Sequence, residues 1–249
     1  MCTLTGECNI AERDVFGNCC LCAKIKAMTC QEIVSDLKKQ RNPKNIAGMA
    51  RFGINPRTTL GISMPYLRSW AKKIGKNQKL ALELWETDIH EARILAGLIG
   101  EPDKITAKQM DHWVAGLDSW DVCDTLCLNL FDKTKIAYPK AKFWAKSKIE
   151  FTRRAGFALM AGLACHDKTA SNQKLMEFFP LIKKYSIDER NFVRKAVNWA
   201  LRQIGKRNKS LCLQAMKLAE EIRSIDTKAS RWIASNALSE LKQKLPKLK

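Results

Sequence analysis

Phe151-Thr-Arg-Arg-Ala155 and Phe192-Val-Arg-Lys-Ala196 are two similar stretches that begin 41 residues apart in this chain of 249 residues. Each opens a segment in which apolar residues recur every three or four positions, as they do on a helix that buries one face. Similar amphipathic segments at a fixed separation indicate a repeated structural unit, here a pair of helices that stacks against the next pair. The repeat therefore predicts an all-α protein.

The rest of the chain from Met28 shows the same helical period, and no segment alternates apolar and polar residues as a half-buried strand does. We predict about thirteen helices with short connections, among them one helix over residues 172–185. Pairs that recur after roughly 35–41 residues are typical of HEAT-like repeats. We therefore predict one domain over residues 28–249. It is expected to be a curved solenoid (an α-α superhelix) of HEAT-like antiparallel helix pairs, with the second helix of each pair lining the concave face.

The first 27 residues differ from the rest in their cysteine content, because six of the ten cysteines lie within residues 1–30. Zinc binding by Cys8, Cys19, Cys20 and Cys22 is the less favoured alternative, since they form no pair of C-x2-C motifs and no histidine lies nearby. The chain also lacks phosphate-loop and dinucleotide motifs. We predict a poorly ordered, Cys-rich extension over residues 1–27, with no bound metal and no cofactor.

The net charge of +19 is concentrated in one part of the chain, since residues 132–249 carry 27 basic and 10 acidic residues. A concentrated positive field indicates a polyanionic partner, most often nucleic acid, and the alternative is a lysine-rich surface kept for solubility. No apolar run reaches the ~18 residues of a membrane span, and the N-terminus has no signal-peptide pattern. We expect a cytoplasmic, nucleoid-associated protein without a membrane partner.

The sequence over residues 118–131 predicts a helix that carries an aspartate beyond its first turn. Asp118 or Ser119 can cap this helix, but Asp124 lies beyond the first turn, where aspartate is a poor helix former. Trp120 and Asp124 share one stripe of the helix with apolar neighbours. Asp124 is therefore either a helix-surface acid beside a core tryptophan or a carboxylate held in a partly dry aromatic site for chemistry.

Arg153 and Arg154 precede a segment, residues 156–165, that is apolar on every side and is predicted to form a central helix. Cations at a helix N-terminus oppose the helix dipole. A bound phosphate would remove this conflict, and so would a salt bridge to a carboxylate such as Asp124 or Glu150. The two interpretations are compatible, and the sequence leaves both open.

Residues 189–204 predict a helix that places Trp199 between a core face and a basic face. The residues of its second stripe and of the basic run that follows are Phe192, Lys195, Trp199, Arg202, Lys206 and Arg207. Such a surface suits nucleic acid or a cationic base, and the alternative is ordinary edge packing with solvated basic side chains. Two other tryptophans, Trp85 and Trp232, lie on apolar stripes and are predicted to be core residues.

These three segments resemble the HEAT-like DNA alkylation repair proteins, the AlkD-type DNA glycosylase family, and the similarity extends over residues 28–245. The family's W-x3-D motif falls on Trp120 and Asp124, its phosphate-facing arginine on Arg154 and its second aromatic wall on Trp199. The chain departs from the pattern at Ser119, where the family carries a second tryptophan.

The resemblance implies a DNA glycosylase that excises cationic N3- or N7-alkylated purines from duplex DNA. We expect the protein to be a monomer. Asp124 would stabilise the oxocarbenium-like sugar and orient water, while Trp120 and Trp199 contact the cationic nucleotide. Six basic residues would contact DNA: Arg153, Arg154, Lys195, Arg202, Lys206 and Arg207. Two alternatives stay open, a non-catalytic HEAT-repeat protein that recognises damaged or branched DNA and a helical scaffold for an acidic protein partner.

Overall fold

The structure is a computed structural model that describes residues 28–248. The described residues form helices and no strand, which confirms the all-α prediction. The extension predicted over residues 1–27, with its cysteines, lies outside the described residues. The chain divides into two compact units, the first ending at Lys104 and the second beginning at Ile105. Within the described part, no helix combines the length and the apolar character that crossing a bilayer requires.

Five helices form the described part of the first unit. They are α1 (Cys30–Lys39), α2 (Pro43–Arg51), α3 (Met64–Ile74), α4 (Gln78–Trp85) and α5 (His90–Ile99). The first two begin at conventional caps: Thr29 and Glu32 form a capping box on α1, and the Asn42 side chain accepts a hydrogen bond from the Asn45 N–H on α2. Local sequence therefore determines where these helices start.

A buried carboxylate holds the loop that precedes α3. Glu91 of α5 accepts hydrogen bonds from the Thr59 hydroxyl (2.8 Å) and from the backbone N–H groups of Leu60 (2.8 Å), Gly61 (2.7 Å) and Ile62 (3.1 Å). Gly61 has a φ of 79°, a conformation that a residue with a side chain rarely adopts. The buried acid thus satisfies the backbone donors of this loop and orders it.

Nine helices form the described part of the second unit, which carries every residue of the predicted site. They are α6 (Ala107–Ala115), α7 (Trp120–Asn129), α8 (Ala137–Trp144), α9 (Glu150–His166), α10 (Asn172–Met176), α11 (Phe179–Tyr185), α12 (Asn191–Gly205), α13 (Lys209–Arg223) and α14 (Lys228–Lys244). Short 3-10 segments, Phe131–Lys133 and Leu245–Lys247, follow α7 and α14.

Helix α9 is the buried centre of this unit, as its apolar composition predicts. Every residue from Arg154 to Ala164 is buried, and the helix packs against α7, α8 and α12. Gly156 permits the close approach of α8 and the residues that follow it, since an added Cβ would lie 2.3 Å from the backbone N of Ala145. A larger residue at Gly156 would therefore force backbone apart.

The single helix predicted over residues 172–185 is wrong, because the structure has two helices there, Asn172–Met176 and Phe179–Tyr185. Pro180 lies in the first turn of the second helix, where its missing N–H needs no partner. In one continuous helix the proline would remove the hydrogen bond to the Met176 carbonyl and clash with it. The proline therefore starts a new helix.

Candidate active site

Helix α7 presents the W-x3-D motif on one face. Ser119 occupies the N-cap position in an extended conformation, although its side chain makes no capping hydrogen bond to the helix. Trp120 is the first residue of α7, and Asp124 follows one turn later on the same stripe. Both are intermediate in exposure, so they lie at the edge of the core and reach solvent.

Asp124 and Arg154 form a two-point ion pair between α7 and α9. The Arg154 Nε donates to Asp124 Oδ1 (3.0 Å), and Nη2 donates to Oδ2 (2.7 Å). A third hydrogen bond runs from Nη1 to the Phe192 carbonyl oxygen (2.8 Å) at the start of α12. The Asp124 side chain keeps 20% of its exposure and that of Arg154 only 6%. Of the two interpretations that the sequence left open for Arg154, the salt bridge to Asp124 is therefore present.

Two further contacts fix this ion pair in place. The Trp120 ring centroid lies 6.0 Å from the Arg154 Cζ, so the indole lies beside the guanidinium. The buried thiol of Cys127 donates to the Ala155 carbonyl oxygen at 3.5 Å. These contacts hold the start of α9 against α7 next to the ion pair.

Burial and charge act in opposite directions on the two groups. Burial raises the pKa of Asp124 above its ordinary value, and the nearby Asp121 adds to this, although the charge and hydrogen bonds of Arg154 act to lower it. For Arg154, burial acts to lower the pKa, but the Asp124 carboxylate outweighs it and the pKa is raised. The guanidinium therefore keeps its proton, and the Asp124 carboxylate binds a proton more readily than an ordinary aspartate does.

Trp199 lies on α12, seven residues after the Phe192 whose carbonyl binds Arg154. Its helix buries the predicted core face: Val193, Ala196, Val197, Ala200, Leu201 and Ile204. Trp199 itself is intermediate in exposure. The structure thus brings Trp120, Asp124 and Arg154 into contact, and it places Trp199 on a neighbouring helix.

Most of the other predicted DNA-binding cations already have partners within the protein. Arg153 pairs with Asp188 and covers the Tyr185 ring, with its Cζ 4.3 Å from the ring centroid. The Nη2 of Arg207 donates to the Asp167 carbonyl oxygen at 2.6 Å, beyond the end of α9. These contacts leave less of each charge available to a phosphate.

The two cations of α12 and its C-cap that face α14 are neutralised in the same way. Arg202 and Lys206 share one carboxylate, Glu240. Lys195 is different, because it is exposed and has no ion pair among the described residues. Contact of these residues with DNA stays a prediction, and Lys195 is the one best placed for it.

The sequence assigned one tryptophan correctly and one wrongly. Trp85 is a core residue as predicted, with 2% of its surface exposed, whereas Trp232 is 36% exposed. The apolar stripe of α14 passes through Ile233, and Trp232 lies about 100° from it around the helix, at the boundary of the core. In the described part of the chain, no group of three or more His, Cys, Asp or Glu side chains could hold a metal ion.

Comparison with known proteins agrees with the order of the motifs. The model of the DNA alkylation repair enzyme family matches residues 33–241 of the chain. The chain belongs to this family. Two curated relatives are uncharacterized proteins of Listeria innocua and Listeria monocytogenes, 26% and 25% identical over 136 residues. These alignments cover 53% of the chain, which spans 61% of the length of each relative.

A solved structure shows the same fold. It matches with a TM-score of 0.73 at 21% identity, covering 88% of this chain and 96% of the other. That protein is described as one of a new family related to the HEAT-like repeat DNA glycosylases, with affinity for branched DNA structures. The likeness confirms the predicted HEAT-like arrangement of helix pairs.

Proposed function

We propose that this member of the DNA alkylation repair enzyme family is a DNA glycosylase that releases cationic N3- or N7-alkylated purines from duplex DNA. The observation that supports the proposal is the partly exposed Asp124 carboxylate, held by two hydrogen bonds from a buried arginine and placed one turn from Trp120. A carboxylate that is fixed in direction and partly removed from water is suited to stabilise a developing positive charge.

The chemistry follows from the charge of the lesion. An alkylated purine leaves as a neutral base from a cationic nucleotide, so the reaction needs no strong general acid. As the glycosidic bond breaks, the sugar gains oxocarbenium character. Asp124 faces that charge and accepts a proton from the attacking water, and Arg154 keeps the carboxylate in one orientation.

The aromatic residues contribute to binding. The face of an indole attracts a cation, and an N3- or N7-alkylated purine carries a positive charge that an ordinary purine lacks. Trp120, next to Asp124, is therefore proposed to contact the damaged nucleotide, with Trp199 on the adjoining helix. Lys195 supplies a phosphate contact on the same exposed face of α12.

The test is a single-turnover base-release assay on a duplex that contains 7-methylguanine or 3-methyladenine. The wild-type protein is expected to release the base, and Asp124→Asn to slow release by about 100- to 1000-fold, because the amide lacks the charge that stabilises the sugar cation. Asp121→Asn is the matched control on the same helix and should retain release at neutral pH. Equal rates for the Asp124→Asn variant and the wild type would contradict the assignment of Asp124.

A second function is favoured by a specific observation: both oxygens of Asp124 already accept hydrogen bonds from Arg154. In this second function the ion pair is a structural link between α7 and α9, and the protein binds damaged or branched DNA without releasing a base. This candidate predicts salt-dependent binding to a four-way junction, weakened by Lys195→Ala, and no base release by the wild-type protein.

A further inference from the structure

Trp232, in the second turn of α14, is partly exposed and carries a cation on its ring. The Cζ of Arg194 from α12 lies 4.7 Å from the Trp232 ring centroid, and the indole keeps 36% of its surface in contact with solvent. The exposed part of the indole is apolar surface that stays in water, so its burial does not contribute to stability. A contact with another molecule would bury this surface.

Trp232 belongs to a regular set of contacts along the seam between α12 and α14. Successive pairs advance by four residues, one helical turn, on each helix, with 38 residues between partners. They are Arg194 with Trp232, Asn198 with Asn236 (2.6 Å), and Arg202 with Glu240. The regular spacing shows that Trp232 lies on the flank of α14 that faces α12.

The exposed face of α12 continues this surface. Lys195 follows Arg194 by about 100° around the helix, and Trp199 is one turn beyond Lys195. Lys195 is exposed, and Ser235 and Asn236, one turn after Trp232 on α14, are small exposed residues. On α14 the surface next to the Trp232 ring is therefore formed by small, exposed polar side chains.

The two ends of the seam differ in how their arginines are paired. At the other end Arg202 and Lys206 share Glu240, whereas Arg194 has no carboxylate partner among the described residues and its Nε has no hydrogen-bond partner. Lys195 adds a second positive charge beside it. An exposed ring next to uncompensated cations favours a ligand that combines a flat aromatic group with a negative charge, as a nucleotide does.

We propose that Trp232, Arg194 and Lys195 form a stacking site for an unpaired nucleobase of DNA, which shares Lys195 with the proposed duplex contact and includes neither Asp124 nor Arg154. The base stacks on the exposed part of the indole, and its phosphate lies against Lys195 and Arg194. Bases inside a duplex are stacked on each other, so the site selects a single-stranded segment and tolerates any sequence. The choice of DNA as the partner rests on the proposed function.

The experiment measures the affinity of the whole protein for unmodified DNA by fluorescence anisotropy. Two labelled probes of the same sequence are compared, a single strand of about 15 nucleotides and the blunt duplex that contains it. Trp232→Leu is expected to bind the single strand about tenfold more weakly and to bind the duplex within about twofold of the wild type, since stacking of one base contributes roughly that much.

Phe143→Leu is the matched control, because Phe143 is an exposed aromatic residue of α8 outside this seam, and its single-strand affinity should not change. Trp232→Phe keeps a ring and should retain most of the affinity, which guards against a folding defect in Trp232→Leu. Equal losses on both probes, or no loss on the single strand, would overturn the stacking site.

Because neither probe contains a lesion, this result is independent of base release. If Trp232→Leu loses affinity for the single strand alone and the wild-type protein releases no alkylated base, the stacking site stands and the glycosylase proposal is rejected. If the wild-type protein releases alkylated purines but Trp232→Leu loses equal affinity for both probes, the glycosylase proposal stands and the stacking site is rejected.

Discussion

Two arginine–carboxylate pairs join neighbouring helices in the second unit, and their carboxylates respond in opposite ways. Between α7 and α9, burial raises the pKa of Asp124 despite its pairing with Arg154. Between α12 and α14, burial also acts to raise the pKa of Glu240, but hydrogen bonds from Lys206 and Arg202 outweigh it and the pKa is lowered. The same kind of pair is thus found with a raised carboxylate pKa at Asp124 and with a lowered one at Glu240.

The difference comes from the surroundings of each pair. Arg154 is almost fully buried, and among the described residues its guanidinium is the one cation paired with Asp124. Glu240 keeps a quarter of its side chain exposed and has two cations. A carboxylate that has one cationic partner and little contact with water suits the proposed reaction, whereas a more exposed carboxylate with two cationic partners mainly joins helices.

The largest expected effect comes from removing the arginine of each pair. Arg154→Met leaves the Asp124 carboxylate without its partner and should lower the free energy of unfolding by about 3 kcal/mol. Arg202→Met should lower it by less than about 1 kcal/mol, because Lys206 still pairs with Glu240 in a partly exposed setting. Urea unfolding followed by circular dichroism measures both. Equal losses in the two variants would show that burial does not distinguish the pairs.

A smaller effect is expected where glycines bring helices together. A Cβ at Gly156 would meet the Ala145 backbone at 2.3 Å. A Cβ at Gly205 would meet side-chain atoms, namely a Leu241 methyl group at 2.7 Å, which can rotate away, and the Ala215 Cβ at 2.9 Å. Gly156→Ala should therefore cost about 2–3 kcal/mol of stability and Gly205→Ala about 1 kcal/mol or less. The same unfolding measurement applies, and a Gly205→Ala loss as large as that of Gly156→Ala would contradict the more adaptable packing of α12.

The sequence predicted the helices more successfully than it predicted the partners of the charged side chains. Apolar periodicity and the 41-residue repeat predicted the helical architecture. An aspartate beyond the first turn of a helix singled out Asp124 as the candidate acid, and its catalytic role stays a prediction. The partner of Arg154 stayed open because Asp124 and Glu150 are both within its reach in sequence terms, and only the packing of α7 on α9 decides between them.

Two wrong expectations have a common physical origin. The apolar period carried one predicted helix through Pro180, and it assigned Trp232 to the core although that residue lies at the edge of the stripe. Periodicity reports which face of a helix is apolar, but it does not say where the neighbouring helix ends or how far its cover extends. Only the structure therefore shows which neighbours a boundary residue has, as with Arg194, whose guanidinium lies over the Trp232 ring.

The smallest expected effect is a pH shift that separates the two carboxylates. If Asp124 acts as a carboxylate, base release falls about tenfold per pH unit below its pKa, and the raised pKa places that fall at higher pH than an ordinary aspartate would. Asp121→Asn removes a neighbouring negative charge that raises the pKa of Asp124, so the fall should move to lower pH. Glu240→Gln should leave it in place.

Single-turnover rates across pH, corrected for spontaneous loss of the alkylated base, measure this shift. A profile that moves in Asp121→Asn and stays fixed in Glu240→Gln identifies the titrating group as a neighbour of Asp121. A profile that is identical in all three proteins would mean that the group controlling the rate lies elsewhere. The contrast between the two pairs would then be one of stability alone, because the burial of Asp124 would have no consequence for the reaction.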